Sequence, residues 1–138
     1  FFLSQLEVSN SLLLKNTYSI IAAVMGCSSV IMGAFGAHWI KSHLGPDQYA
    51  AYRTAVEYLF YNTLIVLILS LVKSDLDFKR PMQLFIAGTI LFSCSIFILS
   101  TKEIHHGHFP FLGPITPLGG LCMIFGWVNL ILIFKKQK

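Results

Sequence analysis

Four long apolar runs, separated by short polar stretches, dominate the pattern of hydrophobic and polar positions along this chain. From Asn16 to Ile40 there are 25 residues without a charged side chain. As a helix, this run is about 37 Å long, more than the roughly 30 Å hydrocarbon core of a bilayer. The pattern predicts an all-α integral membrane bundle of four transmembrane helices, with spans at about 17–40, 47–72, 81–101 and 114–134.

Two short segments flank the predicted membrane domain, which covers residues 17–134. Residues 1–16 are apolar, but Glu7 and Lys15 interrupt them. We expect this N-terminal segment to be either a short interfacial helix or the remnant of a processed presequence. Residues 135–138 contain three lysines and form a basic C-terminal tail.

The second apolar run is too short to cross the membrane without including charged residues. Its uncharged part, Tyr58 to Val72, has 15 residues, and a helix of that length is only about 22 Å long. Glu57 is therefore expected within the edge of the membrane, with Arg53 one turn before it, unless the bilayer thins there. Arg53, Glu57 and Tyr61 are spaced by four residues, so they share one helix face, and the two charged side chains can pair.

This polar face has two interpretations. An ionisable residue at membrane depth is by default a candidate functional group. The alternative is a self-neutralising pair that joins this helix to a neighbour. His38 ends the glycine-rich first helix at a similar depth, where it either contacts Glu57 as a titratable partner or donates to a backbone carbonyl at the helix end. The candidate polar group at the membrane edge comprises His38, Arg53, Glu57 and Tyr61.

Small residues recur at helical spacing in the first and fourth runs. Such residues let transmembrane helices pack backbone to backbone, although glycine is also common in membrane helices generally. We expect close helix packing on both faces. The candidate packing residues are Ala22, Gly26, Gly33, Gly36 and Ala37 in the first helix and Gly119, Gly120 and Gly126 in the fourth.

The other histidines fall on the same predicted side of the membrane as His38. His105, His106 and His108 lie together in the longest loop and, with His38 or His43, could hold a transition metal. Their spacing matches no standard zinc site, and no cluster of cysteines or carboxylates accompanies them in the sequence. We therefore expect a solvated loop, with no metal and no other cofactor.

Composition and charge agree with lipid as the surrounding solvent. Hydrophobic residues make up 55% of the chain and charged residues 12%, whereas about a quarter of a soluble domain is charged. The basic residues stand at the ends of the apolar runs and form no stripe suited to nucleic acid. Seven of the ten lysines and arginines fall on the side of the two termini. This bias predicts cytoplasmic or matrix termini, in the inner membrane of a bacterium or a mitochondrion.

Five motifs together match a known pattern. They are Gly33-Ala-Phe-Gly-Ala-His38, Tyr52-x-x-Ala55-Val56-x-Tyr58-x-x-Tyr61, Phe92-Ser93-x-Ser95, Gly113-Pro-Ile-Thr-Pro-Leu-Gly-Gly120 and Gly126-Trp127. Over about residues 17–134 the chain resembles the small four-helix membrane proteins of the YgdD and transmembrane-protein-256 type, a domain of unknown function. The resemblance implies the fold and the membrane location and no activity.

Two positions depart from this family pattern. Asn62 stands where a histidine often follows the tyrosine, which argues against a proton or metal role at that position. Cys94 stands where a glycine separates the two serines.

Motifs of catalysis are absent from the sequence: there is no Ser-His-Asp order, phosphate loop, dinucleotide-binding glycine pattern or metalloprotease motif. We therefore predict that the protein is not an enzyme, and the sequence identifies no small-molecule substrate. The small-residue faces favour an accessory or scaffold subunit of a larger membrane complex, for example a respiratory one, with lipid and other membrane subunits as partners. The alternative is a small transporter or proton-linked channel that uses His38, Arg53 and Glu57.

Overall fold

Four long helices that alternate in direction make up the computed structural model of the chain, which describes residues 2–72, 74, 76–105 and 109–136. No strand occurs among these residues, so the predicted all-α class is confirmed. The first helix, α1, spans Phe2–Phe35 and continues through a π-helical turn at Gly36–Ile40 into a last turn at Lys41–His43. The other long helices are α2 at Pro46–Leu71, α3 at Lys79–Ser100 and α4 at Leu112–Lys135. A single helical turn at Lys102–His105 precedes α4.

Each of the four helices contains a segment long and apolar enough to cross a membrane. In the described part of the chain these segments are Asn16–His43, Pro46–Leu71, Lys79–Ser100 and Leu112–Lys135. Neighbouring helices are antiparallel, as the hydrogen bond from Ser19, near the start of the first candidate span, to Ser70, near the end of the second, illustrates. The α1–α2 and α3–α4 connections therefore share one end of the bundle, the loop end. The start of α1, the α2–α3 connection and the end of α4 lie at the other, the terminal end.

The N-terminal segment is continuous with the first span. For residues 1–16 the sequence leaves open a short interfacial helix or the remnant of a presequence, and in the structure α1 runs from Phe2 to Phe35 without interruption. The physical reason is that no glycine or proline, the residues that most readily end a helix, occurs before Gly26. Residues 2–15 extend the helix about 21 Å beyond the candidate span.

Helices adjacent in sequence form the main interfaces. The largest joins α3 to α4, followed by α1 to α2 and α2 to α3. Phe85 of α3 is fully buried in the main core. Side-chain hydroxyls also link the helices. Ser93 of α3 donates to the carbonyl oxygen of Ala55 in α2 at 2.9 Å, and the hydroxyls of Ser95 in α3 and Thr116 in α4 are 2.7 Å apart. Such bonds help to hold membrane helices together, because lipid gives no hydrophobic drive for their association.

Two glycines bring the backbones of α3 and α4 into direct contact. A Cβ added to Gly119 would lie 2.5 Å from the backbone nitrogen of Phe92 and 2.8 Å from the carbonyl oxygen of Gly88. These distances are far below van der Waals contact, so a side chain at Gly119 requires the two helices to separate. Gly126, two turns further along α4, packs against the ring of Phe85.

The predicted packing residues differ in what surrounds them. Ala22 is fully buried, and a Cβ on Gly26 would lie 3.3 Å from Thr63. Ala37, in contrast, is exposed, and a Cβ on Gly120 would meet no atom within 4 Å. Two causes account for the difference. Sequence spacing defines a helix face only to within about one residue, and the π turn adds a residue to the turn that contains Ala37.

Candidate functional site

The polar stripe of α2, which consists of Arg53, Glu57 and Tyr61, faces away from the bundle. The Arg53 guanidinium lies 3.3 Å from the Glu57 carboxylate, and these side chains are 64% and 47% exposed. Tyr61 is also exposed. The four-residue spacing therefore places the three residues on one face, and that face is the outward one. Within the described residues, the two charged side chains bond only to each other.

His38 does not join this stripe. It lies in the π turn of α1 with an exposed side chain, and no hydrogen bond or ion pair connects it to Glu57 among the described residues. The π turn supplies the physical reason, because its i→i+5 hydrogen bonding rotates the end of α1 relative to a regular α-helix. Of the two roles considered for His38, a titratable contact with Glu57 or a hydrogen bond to a backbone carbonyl, the contact with Glu57 is not formed among the described residues.

The histidines of the loop end are described only in part. His43 stacks on Trp39 with ring centroids 4.4 Å apart, and its Nδ1 lies 2.8 Å from the Trp39 carbonyl oxygen. His106, His108 and the side chain of His105 lie outside the described residues, and so does the metal site suggested for them. In the part of the chain that is described, no group of three or more metal-ligating residues comes together.

A tyrosine of α2 fills the space beside the π turn. Tyr52 is only 2% exposed, and its hydroxyl donates a hydrogen bond to the carbonyl oxygen of Met32 at 2.8 Å. Its ring lies against Gly36, where an added Cβ would be 2.6 Å from a ring carbon. Single π turns within α-helices occur frequently at functional sites. Because the ring of Tyr52 packs on Gly36 and its hydroxyl bonds to Met32, these residues form one packing unit at the end of α1.

Next to this unit lies an apolar groove of about 460 Å³ at the loop end. Phe97 of α3 closes one side, with its ring 5.2 Å from that of Tyr52, and Trp39 lies exposed at the rim. The hydroxyl of Tyr52 is already bonded to Met32. The groove thus offers shape and apolar surface rather than acid–base chemistry.

Tyr52 is not among the residues that the sequence pattern singles out as candidates. Its only sequence signal is its place in the motif Tyr52-x-x-Ala55-Val56-x-Tyr58-x-x-Tyr61. The glycines of the first helix indicate close packing there, but no spacing rule predicts that an aromatic ring, rather than a helix backbone, fills the space beside Gly36.

Comparisons with known proteins identify the family. The model described as "Protein of unknown function (DUF423)" matches residues 32–120. The chain is 32% identical to the UPF0382 membrane protein YwdK of Bacillus subtilis over 124 residues, which are 86% of this chain and 96% of the relative. A UPF0382 membrane protein of Schizosaccharomyces pombe is 33% identical, covering 80% and 95% of the two chains, and one of Haemophilus influenzae is 31% identical, covering 91% and 98%. No solved structure matches.

The matched segment contains the π turn, the polar stripe and the glycine contact between α3 and α4. The relatives are membrane proteins, in agreement with the four apolar helices of this chain. The resemblance stated from the sequence motifs is therefore confirmed. The chain belongs to the DUF423 family of proteins of unknown function, and the relatives named here are membrane proteins.

Proposed function

We propose that this chain is a non-catalytic accessory or scaffold subunit that docks onto larger membrane proteins through the outward face of α2. The observation that carries the proposal is the outward-facing Arg53–Glu57 pair, for which the length of α2 implies a place at the edge of the membrane. The proposal rests on the depth of the pair, on its exposure and on the apolar surface around it.

The depth of the pair follows from the length of α2. Glu57 lies 11 residues after Pro46, about 16 Å along the helix axis. The uncharged residues 58–72 that follow cover only about 22 Å, so the hydrocarbon core of about 30 Å reaches back to Glu57 and towards Arg53.

Exposure of the pair at this depth is unfavourable in lipid. A charged side chain at the centre of a membrane helix costs about 2.5–3.5 kcal/mol on insertion scales, and less towards the edge. Mutual pairing offsets part of this cost, but both side chains remain largely uncovered by the chain itself. Polar groups of a partner protein at the same depth would satisfy the remaining hydrogen-bonding capacity.

The surface around the pair is apolar. Further along the same side of α2, Leu64, Ile68 and Leu71 are all exposed. Lipid covers such residues without cost, so they require no partner, whereas the ion pair within this face does. A membrane protein with a complementary polar patch is therefore the occupant that the face favours, and lipid alone is the alternative.

The test is extraction of the native membrane in mild detergent, followed by a native gel and mass spectrometry of the proteins that migrate with this chain. We expect it to migrate in a defined large complex at a near-stoichiometric ratio to larger subunits. Recovery of the chain only as a free monomer would contradict the proposal. The transporter alternative has no observation of its own in its favour, because His38 is not joined to Glu57 among the described residues.

We also propose that both termini lie in the cytoplasm or the matrix, in the inner membrane of a bacterium or a mitochondrion. Exposed basic residues support this orientation: Lys79, Arg80, Lys135 and Lys136 lie at the terminal end, against Lys41, Lys102 and at most Arg53 on the side of the loop end. A cysteine added after Lys138, in a chain whose three natural cysteines are replaced by alanine, tests it. A membrane-impermeant thiol reagent is expected to label it only after permeabilisation, and labelling of sealed cells or organelles would contradict the orientation.

A further inference from the structure

A second groove, of about 480 Å³, lies between α2, α3 and α4 near the middle of the spans. We call it the mid-membrane groove. Its walls are aromatic: Tyr58, Tyr61, Phe92 and Trp127 all line it, and the rings of Tyr58 and Phe92 are 4.9 Å apart. Tyr61 and Trp127 are exposed on the outer surface of the bundle, so the groove opens sideways towards lipid. Its volume falls within the roughly 300–1,000 Å³ of small-molecule sites.

Asn62 is the buried polar group of this groove. It is only 4% exposed, and its amide nitrogen donates both of its hydrogens: one to the carbonyl oxygen of Tyr58 at 2.8 Å and one to the sulfur of Met123 at 3.0 Å. Of the two ends of the side-chain amide, only the NH2 group can donate to a carbonyl oxygen, so the bond to Tyr58 fixes which end is the nitrogen. The amide oxygen accepts no hydrogen bond from any described residue.

The oxygen of Asn62 is therefore an acceptor available to a ligand. Among the described residues, every side-chain oxygen or nitrogen that is closed off from the surface has a hydrogen-bond partner. Because the Asn62 oxygen has no partner, it must keep access, and the space that this residue lines is the mid-membrane groove. An acceptor that faces an apolar groove without a partner is unfavourable, and a hydrogen-bond donor bound in the groove would offset that cost.

Water fits this space poorly. A stable buried water needs two to four polar partners, and most of the surface that lines the groove is apolar. The groove also lies near the bilayer middle: Met123 is at the centre of α4, and Asn62 is about 24 Å from the start of α2. The ligand must therefore be soluble in lipid, flat enough to lie between aromatic rings, and able to donate one hydrogen bond.

We propose that the mid-membrane groove binds a lipid-soluble aromatic ring with a hydroxyl donor, of the hydroquinone class. The ring lies between the aromatic side chains, where offset and edge-to-face contacts are favourable. One ring hydroxyl donates to the amide oxygen of Asn62, and the apolar tail leaves through the side that opens to lipid. The site shares Tyr61 with the polar stripe but contains neither Arg53 nor Glu57, so it does not depend on docking through that ion pair.

The proposal makes a sharp distinction between two forms of one ring. A hydroquinone carries hydroxyl donors, whereas the corresponding quinone carries only acceptors and cannot bond to the Asn62 oxygen. One hydrogen bond of ordinary strength predicts that the reduced form binds about five- to tenfold more tightly than the oxidised form. No electron transfer by this chain is involved.

The test uses the full-length chain in lipid nanodiscs with Trp39→Phe, which leaves Trp127 of the groove as the sole tryptophan reporter. A short-tailed benzohydroquinone and its quinone are titrated separately, the first under anaerobic reducing conditions. The readout is the saturable quenching of Trp127 fluorescence. We expect saturation with both forms and the stated preference for the reduced one. No saturable quenching by either, as when lipid chains fill the groove, would overturn the proposal.

Variants separate the acceptor from the shape of the groove. Asn62→Leu is expected to abolish the preference for the reduced form while the oxidised form still binds, and Asn129→Leu, an equivalent change on α4 outside the lining, to leave both affinities unchanged. Gly120→Leu keeps Asn62 but fills the groove, since nothing lies within 4 Å of the added Cβ, and is expected to abolish binding of both forms. A preference retained in Asn62→Leu would overturn the proposal. If that variant does not fold, binding retained in Gly120→Leu would do so.

Discussion

The contact between α3 and α4 and the outward face of α2 are opposite extremes of this molecule. At the α3–α4 contact, Gly88 and Gly119 meet backbone to backbone, and the Ser95 hydroxyl has its partner on the neighbouring helix. On the outward face of α2, Arg53 and Glu57 bond only to each other within the described chain and stay exposed. The first region holds the fold together. The second contributes little to the fold, so its polar groups are better explained by something outside the chain.

The strongest test of this contrast is Gly119→Ala. The added Cβ would lie 2.5 Å from the backbone nitrogen of Phe92, which cannot move without moving α3. Overpacking of this kind costs about 1–3 kcal/mol, and because the obstacle is backbone we expect a loss of about 3 kcal/mol in the free energy of unfolding. Gly120→Ala is the matched control, since its Cβ meets nothing within 4 Å, and it should change stability by less than about 0.5 kcal/mol. Equal losses in reversible unfolding from detergent micelles would contradict the packing.

A smaller effect is expected at the π turn. Gly36→Ala places a Cβ 2.6 Å from the ring of Tyr52, which is a side chain but a buried one. The ring must shift, and we expect a loss of about 1–2 kcal/mol in the free energy of unfolding. Gly33→Ala, with Val56 at an ordinary 3.6 Å, should be neutral or stabilising, because alanine favours a helix over glycine. The two variants compared in the same unfolding assay decide whether Tyr52 fills this space.

The hydroxyl of Tyr52 is expected to contribute still less to the free energy of unfolding. Tyr52→Phe removes its hydrogen bond to the Met32 carbonyl oxygen and should lower the free energy of unfolding by about 1 kcal/mol. Tyr61→Phe removes a hydroxyl from an exposed side chain on the outward face of the same helix, and no measurable change is expected. A loss in Tyr61→Phe as large as that in Tyr52→Phe would erase the distinction between the inward and outward sides of α2.

The smallest effect on stability is expected at the ion pair itself. Glu57→Gln removes an exposed i,i+4 pair, which is typically worth about 0.3–0.5 kcal/mol. The purified chain in detergent should therefore unfold almost as the unchanged one does. A loss of several kcal/mol would mean that the pair holds the fold rather than a partner.

The sequence allowed the fold class to be predicted because charge-free runs of membrane length have few alternatives. The pairing of Arg53 with Glu57 also follows from spacing alone, since residues four apart on a helix are neighbours. The direction in which that face points does not follow from spacing, because the apolar residues of the second helix are distributed over its whole circumference. Sequence periodicity assumes a regular helix, so it could not anticipate the π turn, which leaves Ala37 exposed and His38 apart from Glu57. The mid-membrane groove depends on three helices at once, and no local pattern marks Asn62 as its polar group.

The most direct test of the account compares Glu57→Gln with Glu103→Gln in the native membrane. Glu103 bonds to Gln48 on the exposed loop end, outside the candidate spans, so its change matches the chemistry without touching the stripe. After extraction in mild detergent, the share of each variant that migrates in a large complex on a native gel is measured. We expect Glu57→Gln to shift most of the chain to the free form and Glu103→Gln to leave it in the complex. Full retention of Glu57→Gln in the complex would contradict docking through the outward face of α2.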